Sequence, residues 1–155
     1  MMLKRLELLI PPPIVALLTA LAIWGVARAF PDWVFAFPHQ ASVGCSLIAL
    51  GITLDLVSIA GFLKAKTTVT PLTPEKASSL VTGGLYLITR NPMYLGLLLI
   101  LTGFAVLRGS PFNAILLLAF VAYLNTFQIR PEEERLAEIF GAEYLSYKAR
   151  VRRWV

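Results

Sequence analysis

Cysteine and histidine are almost absent from this sequence of 155 residues, which contains one of each, Cys45 and His39. A single cysteine cannot form a disulfide within the chain, and the two residues together cannot build a Cys/His metal cluster. The sequence therefore predicts no disulfide framework and no Cys/His metal centre. An ion bound by oxygen ligands alone stays open.

Charge is also scarce, since only 15% of the residues are charged and soluble domains usually carry about a quarter. Apolar residues make up 57% of the chain, and the mean hydropathy is +0.73. The chain lacks the polar surface of a soluble protein. Its length fits one domain, so we expect a single integral membrane domain over residues 1–155.

Four apolar stretches cover about residues 14–30, 41–63, 92–107 and 111–129. As helices they are roughly 24–35 Å long, which matches the thickness of a bilayer. The sequence therefore predicts an all-α, polytopic membrane protein with about four transmembrane helices. An alternative for the first stretch is a signal peptide cleaved after the "ARA" of Ala27 to Ala29.

Prolines and glycine mark the helix ends in the second half. Asn91 before Pro92 is typical of an N-cap followed by a proline in the first turn, and Ser110 before Pro111 repeats this pattern. Gly109 suits a helix C-terminus. We therefore expect a helical hairpin over 92–129. In the tail, 130–155, a short helix should run from Pro131 to Gly141 and a second should cover 142–152.

All but two of the 14 lysines and arginines lie in the termini or in the 64–91 loop, the exceptions being Arg28 and Arg108. This asymmetry predicts that both termini and the 64–91 loop are cytoplasmic. The formal net charge of +5 is therefore interpreted as a topology signal, and the sequence gives no support for nucleic-acid binding.

Polar and aromatic residues cluster at this predicted cytoplasmic boundary. The hairpin should bring the residues before the third stretch to the same membrane face as those after the fourth. Jointly they suit a small zwitterionic ligand, although each residue also has an ordinary role in positive-inside charge, an aromatic belt or a helix start. They are Gly84, Tyr86, Arg90, Asn91 and Tyr94 on one side, and Arg130, Glu132, Glu133, Tyr144 and Tyr147 on the other.

Asp55 lies inside the second apolar stretch, where a carboxylate costs roughly 2.5–3.5 kcal/mol on insertion scales. It must therefore face protein, water or substrate. Asn125 and Gln128 are candidate partners because they lie at the same depth of the fourth stretch. An interhelical hydrogen bond and a substrate contact are both consistent with this pattern.

The order of residues resembles the isoprenylcysteine carboxyl methyltransferase family, integral membrane enzymes related to the phospholipid N-methyltransferases. The first part of the pattern, G-x-Y then R-[HN]-P-x-Y-x-G, falls in "LVTGGLYLITRNPMYLG". The second part, E-E-x-x-L-x-x-x-F-G-x-x-Y-x-x-Y, falls in "EEERLAEIFGAEYLSYKARVRRWV". The resemblance covers roughly the C-terminal half of the chain, and Asn91 stands where the prenylcysteine enzymes most often have histidine.

The resemblance implies S-adenosylmethionine as cofactor, held at the cytoplasmic ends of the last two long helices. Arg90 would pair with its carboxylate, and Glu132 or Glu133 would take its ammonium or ribose hydroxyls. Candidate catalytic residues are Arg90, Glu133 and Arg150. The implied cofactor site comprises Gly84, Tyr86, Arg90, Asn91, Pro92, Tyr94, Glu132, Glu133, Tyr144 and Tyr147; the substrate candidates are Asp55, Asn125 and Gln128.

The implied acceptor is a lipophilic molecule, with a carboxylate of a prenylated or lipid-like substrate as the first expectation. A phospholipid amine is the second. An NADPH-dependent sterol-type membrane reductase and a non-catalytic membrane scaffold are the remaining alternatives.

Overall fold

The structure is a computed structural model that describes residues 7–64 and 79–155. Part of the predicted 64–91 loop, including Lys66 and Lys76, lies outside these residues, as do Lys4 and Arg5. The described residues form helices α1 (Pro12–Ala29), α2 (Gln40–Lys64), α3 (Pro92–Arg108), α4 (Asn113–Tyr123) and α5 (Arg130–Arg150). They contain no strand, so the predicted all-α class is confirmed.

Among residues 7–64 and 79–155, three helical stretches are long and apolar enough to cross a membrane: Pro12–Ala29, Gln40–Lys64 and Asn113–Arg150, which runs from α4 into α5. Helix α3 is apolar too, but its 17 residues reach only about 26 Å at 1.5 Å per residue. Large apolar side chains face outward on these helices, as expected for contact with lipid rather than water. They include Leu17, Leu21, Leu50, Leu56, Ile115 and Leu118.

Helices α2 and α3 pack closely because glycines lie at their contacts. A Cβ atom added at Gly51 would lie 2.5 Å from the carbonyl oxygen of Gly96, and one at Gly103 would lie 2.5 Å from that of Gly44. Small residues let two backbones approach inside a membrane, where packing replaces the hydrophobic effect between helices. The second contact surface is the core in which α1, α3 and α4 meet around Ile23, Leu101, Phe120 and Leu124.

The turn between α3 and α4 confirms one predicted helix end and corrects another. Gly109 ends α3 in the left-handed conformation, with φ 67°, as predicted. Ser110 is not the N-cap of the next helix, because its hydroxyl is buried without a hydrogen-bond partner. Its carbonyl oxygen instead accepts the N–H of Asn113 in a turn that precedes α4.

The helix does not stop at Pro131, contrary to the prediction that a separate tail helix begins there. A π-helical segment, Leu124–Ile129, joins α4 to α5 without a break. Pro131 has no N–H to bond the carbonyl of Phe127 one turn earlier; that oxygen instead accepts the N–H of Leu8, at 2.9 Å. The wider π turn accommodates the proline ring, and the helix continues.

Gly141 interrupts α5 with φ 51° and ψ −125°. The predicted break at this residue is therefore confirmed, and the two halves of α5 lie on either side of it. The second half ends at Arg150 rather than at Arg152.

Candidate functional site

The candidate site lies at the charged end of the bundle, where α3 begins and α5 follows the π segment. A short 3₁₀ turn, Gly84–Leu87, carries Tyr86 into this region. Gly84 has φ 62°, a conformation that favours glycine. The hydroxyl of Tyr147 donates to the Tyr86 carbonyl oxygen at 2.7 Å, and Tyr144 packs beside both residues. The predicted convergence of these three tyrosines is present.

Glu133 is the centre of the site, and its side chain is only 6% exposed. Nη2 of Arg90 forms an ion pair with Oε1 of Glu133 at 2.7 Å. Arg153 contacts both carboxylate oxygens, with Nε at 3.0 Å and Nη2 at 2.8 Å. Lys148 Nζ adds a third ion pair at 3.1 Å. Three cations therefore share one carboxylate.

Backbone carbonyl oxygens of the C-terminal residues Val151–Trp154 accept hydrogen bonds from the residues that directly precede α3. The N–H of Arg90 donates to the carbonyl oxygen of Arg152 at 2.9 Å. Arg90 Nη1 donates to the carbonyl oxygens of Lys148 and Val151, at 3.0 and 2.6 Å. Arg90 is thus buried between the C-terminal segment and Glu133, and only its Nε is buried without a partner.

Asn91 occupies the predicted N-cap position, directly before the buried Pro92, but its side chain makes no capping bond. The amide Nδ2 donates instead to the carbonyl oxygen of Arg153, at 2.9 Å. The hydroxyl of Thr89 donates to the same oxygen at 3.1 Å. The side chain that should cap α3 is used to hold the C-terminal segment, so the capping bond predicted for Asn91 is wrong.

Glu132 lies in a different environment from its neighbour. The hydroxyl of Tyr94 donates to its carboxyl oxygen at 2.5 Å, and no ion pair reaches it among the described residues. Burial raises the pKa of Glu132 to about 8, only partly offset by the bond from Tyr94, and the charge of Glu133 raises it further. For Glu133, burial alone would raise the pKa, but hydrogen bonds from Arg153, Arg90 and Lys148 outweigh it and lower the pKa to about 2.

The substrate candidates are not brought together as predicted. Asp55 lies against Gly96 of α3, and its Oδ1 is buried without a hydrogen-bond partner. Asn125 accepts from Trp154 Nε1 at 3.1 Å and from Arg153 at 3.5 Å. Gln128 is 1% exposed, and neither atom of its amide has a partner. The candidate hydrogen bonds from Asp55 to Asn125 or Gln128 are therefore not formed, since Asn125 is turned toward the C-terminal segment and Gln128 has no partner. The substrate contact considered as the alternative stays a prediction.

Arg150 lies outside the cluster. Its side chain is exposed and donates to the carbonyl oxygen of Ser146, one turn earlier. Arg153 and Lys148, which the sequence analysis did not propose for the site, contact Glu133 in its place. Nothing in the sequence distinguished these two residues except their positive charge. Arg153 lies 20 residues from Glu133 in the chain, with the break at Gly141 between them.

A cavity of about 390 Å³ lies beside Tyr86. Apolar side chains supply most of its wall, and Lys64 is the one charged lining residue in the part of the chain that the structure describes. Its lining includes Val57, Ser58, Lys64, Val81, Leu85 and Tyr86. Among residues 7–64 and 79–155, no group of three His, Cys, Asp or Glu side chains is arranged to hold a metal ion.

The chain is similar in sequence to known methyltransferases. The sequence pattern of the phospholipid methyltransferase family matches residues 39–143. Protein-S-isoprenylcysteine O-methyltransferase B of Arabidopsis thaliana is 32% identical over 111 residues, which are 72% of this chain and 56% of the plant protein. Protein-S-isoprenylcysteine O-methyltransferase of Saccharomyces cerevisiae is 28% identical over 127 residues, 79% of this chain and 53% of the yeast protein.

An uncharacterized protein of Haemophilus influenzae is 43% identical over 63 residues, which are 41% of this chain and the whole of that protein. No solved structure matches the chain significantly. The chain spans about half the length of the two named methyltransferases. The resemblance stated from the sequence motifs is confirmed by these matches.

Proposed function

Because the chain belongs to the phospholipid methyltransferase family, we propose that it is an integral membrane enzyme that transfers a methyl group from S-adenosylmethionine to a lipophilic acceptor. The observation that carries this proposal is the meeting of the two sequence motifs in one buried cluster. Arg90 and Tyr94 come from the first motif, and Glu132 and Glu133 come from the second. S-adenosylmethionine supplies a methyl group activated by a sulfonium.

The charges of the cluster suit the cofactor's carboxylate. Arg90, Lys148 and Arg153 surround the single carboxylate of Glu133, which leaves two of their three positive charges uncompensated. Arg90 also keeps a buried Nε without a partner. Lys148 and Arg153 are 41% and 35% exposed in their side chains, so they remain accessible to an anionic ligand.

The remaining walls suit the uncharged and cationic parts of the cofactor. The rings of Tyr86, Tyr144 and Tyr147 offer π faces to an adenine or a sulfonium. We propose a cofactor site made of the residues inferred from the motifs, with two additions, one from the end of α5 and one from the C-terminal segment. These are Gly84, Tyr86, Arg90, Asn91, Pro92, Tyr94, Glu132, Glu133, Tyr144 and Tyr147, together with Lys148 and Arg153.

Methyl transfer to a carboxylate requires alignment more than proton exchange, because a carboxylate is already nucleophilic. The task of Arg90 and Glu133 would be to orient the reactants and exclude water, which is catalysis by proximity. Arg153 takes the role expected from the sequence for Arg150, since it is the residue in contact with Glu133.

For the acceptor, we propose a carboxylate on a prenylated or lipid-like molecule. The printed names of the plant and yeast relatives, protein-S-isoprenylcysteine O-methyltransferases, support this choice. The mostly apolar cavity beside Tyr86 suits a lipid chain, and Lys64 at its wall suits an anionic group. Asp55, whose Oδ1 lacks a partner, is a candidate for contact with a donor group of the acceptor.

A phospholipid amine is the second candidate acceptor, favoured by the description of the matching family. An amine must lose a proton on methylation. Glu132 has a pKa raised to about 8 by burial, which would suit a general base near neutral pH.

The two acceptors are distinguished by the stability of the product. Membranes containing the protein are incubated with S-adenosylmethionine labelled in its methyl group, and the lipid fraction is then treated with mild base. A carboxyl methyl ester releases volatile label, whereas an N-methylated lipid retains it. If neither volatile label nor labelled lipid is found, the proposed function is contradicted.

For the arrangement in the membrane, we propose that α1, α2, α3 and the helix beginning at α4 all cross, and that both termini are cytoplasmic. The distribution of lysine and arginine supports this orientation. The charged cluster would then face the compartment that supplies the cofactor.

A further inference from the structure

Gln128 is an unusual side chain for its position, because a complete amide is buried in the apolar bundle without hydrogen bonds. The residue is 1% exposed. Both Nε2 and Oε1 lack a partner. A buried amide left in this state is costly, and such groups in folded proteins normally have a protein, water or ligand partner.

The π segment directs Gln128 toward the proposed site. Gln128 lies in Leu124–Ile129, one turn before Glu132, so the two side chains share a face of the helix. Glu132 on this face accepts the hydroxyl of Tyr94. Single π turns inside α-helices often occur at functional sites because they re-aim side chains.

The free amide limits which ligand would fit. A primary amide presents one acceptor and two donors in a plane. A carboxylate would satisfy only the donor, and an ammonium would satisfy only the acceptor. A planar group that carries a donor and an acceptor side by side would satisfy both at once.

We propose that Gln128 is a specificity-determining residue that binds a planar donor–acceptor edge through both atoms of its amide. Two sources offer this chemistry in the proposed reaction: the adenine edge of the cofactor, or a carboxamide next to the reacting group of the acceptor. The proposal rests on the proposed function, since it assigns a ligand group to the same site.

Two comparisons with the wild-type protein in detergent distinguish the sources. The first compares the dissociation constants of S-adenosylhomocysteine and its 6-deamino analogue, whose purine lacks the amino donor. The second compares the KM of an N-carbamoyl prenylcysteine, whose terminal carboxamide carries N–H and C=O side by side, with that of a prenylthiopropionate, which lacks this group. Two hydrogen bonds of ordinary strength predict a preference of about 10- to 100-fold in one of the two comparisons.

Gln128→Leu is expected to abolish that one preference and to leave the other comparison unchanged. Asn113→Leu is the matched control, because Asn113 is also a buried amide with a free Oδ1 in the same continuous helix, remote from the site in sequence. The control is expected to preserve the preference. A folded Gln128→Leu protein that keeps wild-type values in both comparisons would overturn the proposal.

If Gln128→Leu does not fold, only the two wild-type comparisons test the proposal. A preference in either comparison supports it, and the absence of a preference in both comparisons overturns it. Failure of the proposed function has a different signature. A wild-type protein that binds no S-adenosylhomocysteine contradicts the methyltransferase assignment. A protein that binds it without either preference contradicts only the role of Gln128.

Discussion

Glu132 and Glu133 are neighbours in the chain, yet their carboxyl groups have opposite surroundings. Glu133 is held by three cations, and its pKa is lowered to about 2. Glu132 is buried against a tyrosine hydroxyl, and its pKa is raised to about 8. Near neutral pH one residue is therefore charged and the other mostly protonated. The pair can offer an ionic and a neutral group to one ligand.

Glu133→Gln should destabilise the protein by about 3–5 kcal/mol, because removal of one member of a buried ion pair leaves its partners uncompensated. The measurement is chemical denaturation in detergent. Glu134→Gln is the control, since Glu134 is 60% exposed and pairs only with the exposed Arg130; its effect should stay within about 0.5 kcal/mol. Equal effects of the two variants would show that the cluster does not hold the fold together.

The pH dependence of stability separates the two glutamates. The pKa of Glu132 is higher in the folded state than the usual 4.5, so stability should fall as the pH rises from about 4.5 to about 8. The pKa of Glu133 is lower in the folded state, so its contribution is complete above about 4.5 and is lost as the pH falls toward 2. Glu132→Gln should remove the loss of stability between about pH 4.5 and about pH 8.

This prediction is checked by denaturation at several pH values between 5 and 9. The control is Glu138→Gln, which changes an exposed glutamate paired with Arg135 and should retain the wild-type slope. If Glu132→Gln also retains that slope, another group causes it.

At the residue scale, the sequence predicts the site residues that belong to the motifs. It misses the site residues that only tertiary contacts bring to the cluster. Arg90, Tyr94, Glu132 and Glu133 follow from motif order, and the structure brings them together. Arg153 could not be identified in this way, because its position depends on the turn at Gly141 and on the hydrogen bonds that tie the C-terminal segment to the residues directly before α3.

At the element scale, the helix pair α2–α3 is the most extensive contact in the fold, and glycines make it possible. Apolar stretches predict where helices exist, and proline and glycine predict several of their ends. They do not predict that the helix continues through Pro131, because this depends on the π segment and on Leu8 as a distant donor. Beyond the hairpin of α3 and α4, they also do not indicate which helices touch.

Gly51→Ala tests the α2–α3 contact. The added methyl group would lie 2.5 Å from the Gly96 carbonyl oxygen, so the helices must separate, at a cost of about 1–3 kcal/mol typical of overpacking. Gly25→Ala in α1 is the matched control, because a Cβ atom there meets nothing within 4 Å. The control should be neutral or stabilising by up to about 1 kcal/mol. Thermal unfolding of both variants in detergent measures the difference, and equal melting temperatures would contradict the close contact.

At the scale of the whole molecule, composition predicts the membrane environment. The structure agrees with this prediction, because the outward faces of the helices are apolar and the charged residues gather near one end. The charge distribution predicts an orientation, and the motifs predict a family. The acceptor does not follow from either, because the side chains proposed for ligand contact, such as Asp55 and Gln128, have surroundings that depend on packing between helices. The cofactor is the part of the account closest to direct test.

We propose that the charged cluster around Glu133 binds S-adenosylmethionine. Calorimetric titration of the purified protein in detergent with S-adenosylhomocysteine tests it most directly, with NADPH as the competing cofactor. We expect saturable binding of S-adenosylhomocysteine that is lost in Arg153→Ala and kept in Arg135→Ala, and no binding of NADPH. Tight NADPH binding, or no heat at millimolar S-adenosylhomocysteine from a folded protein, would contradict it.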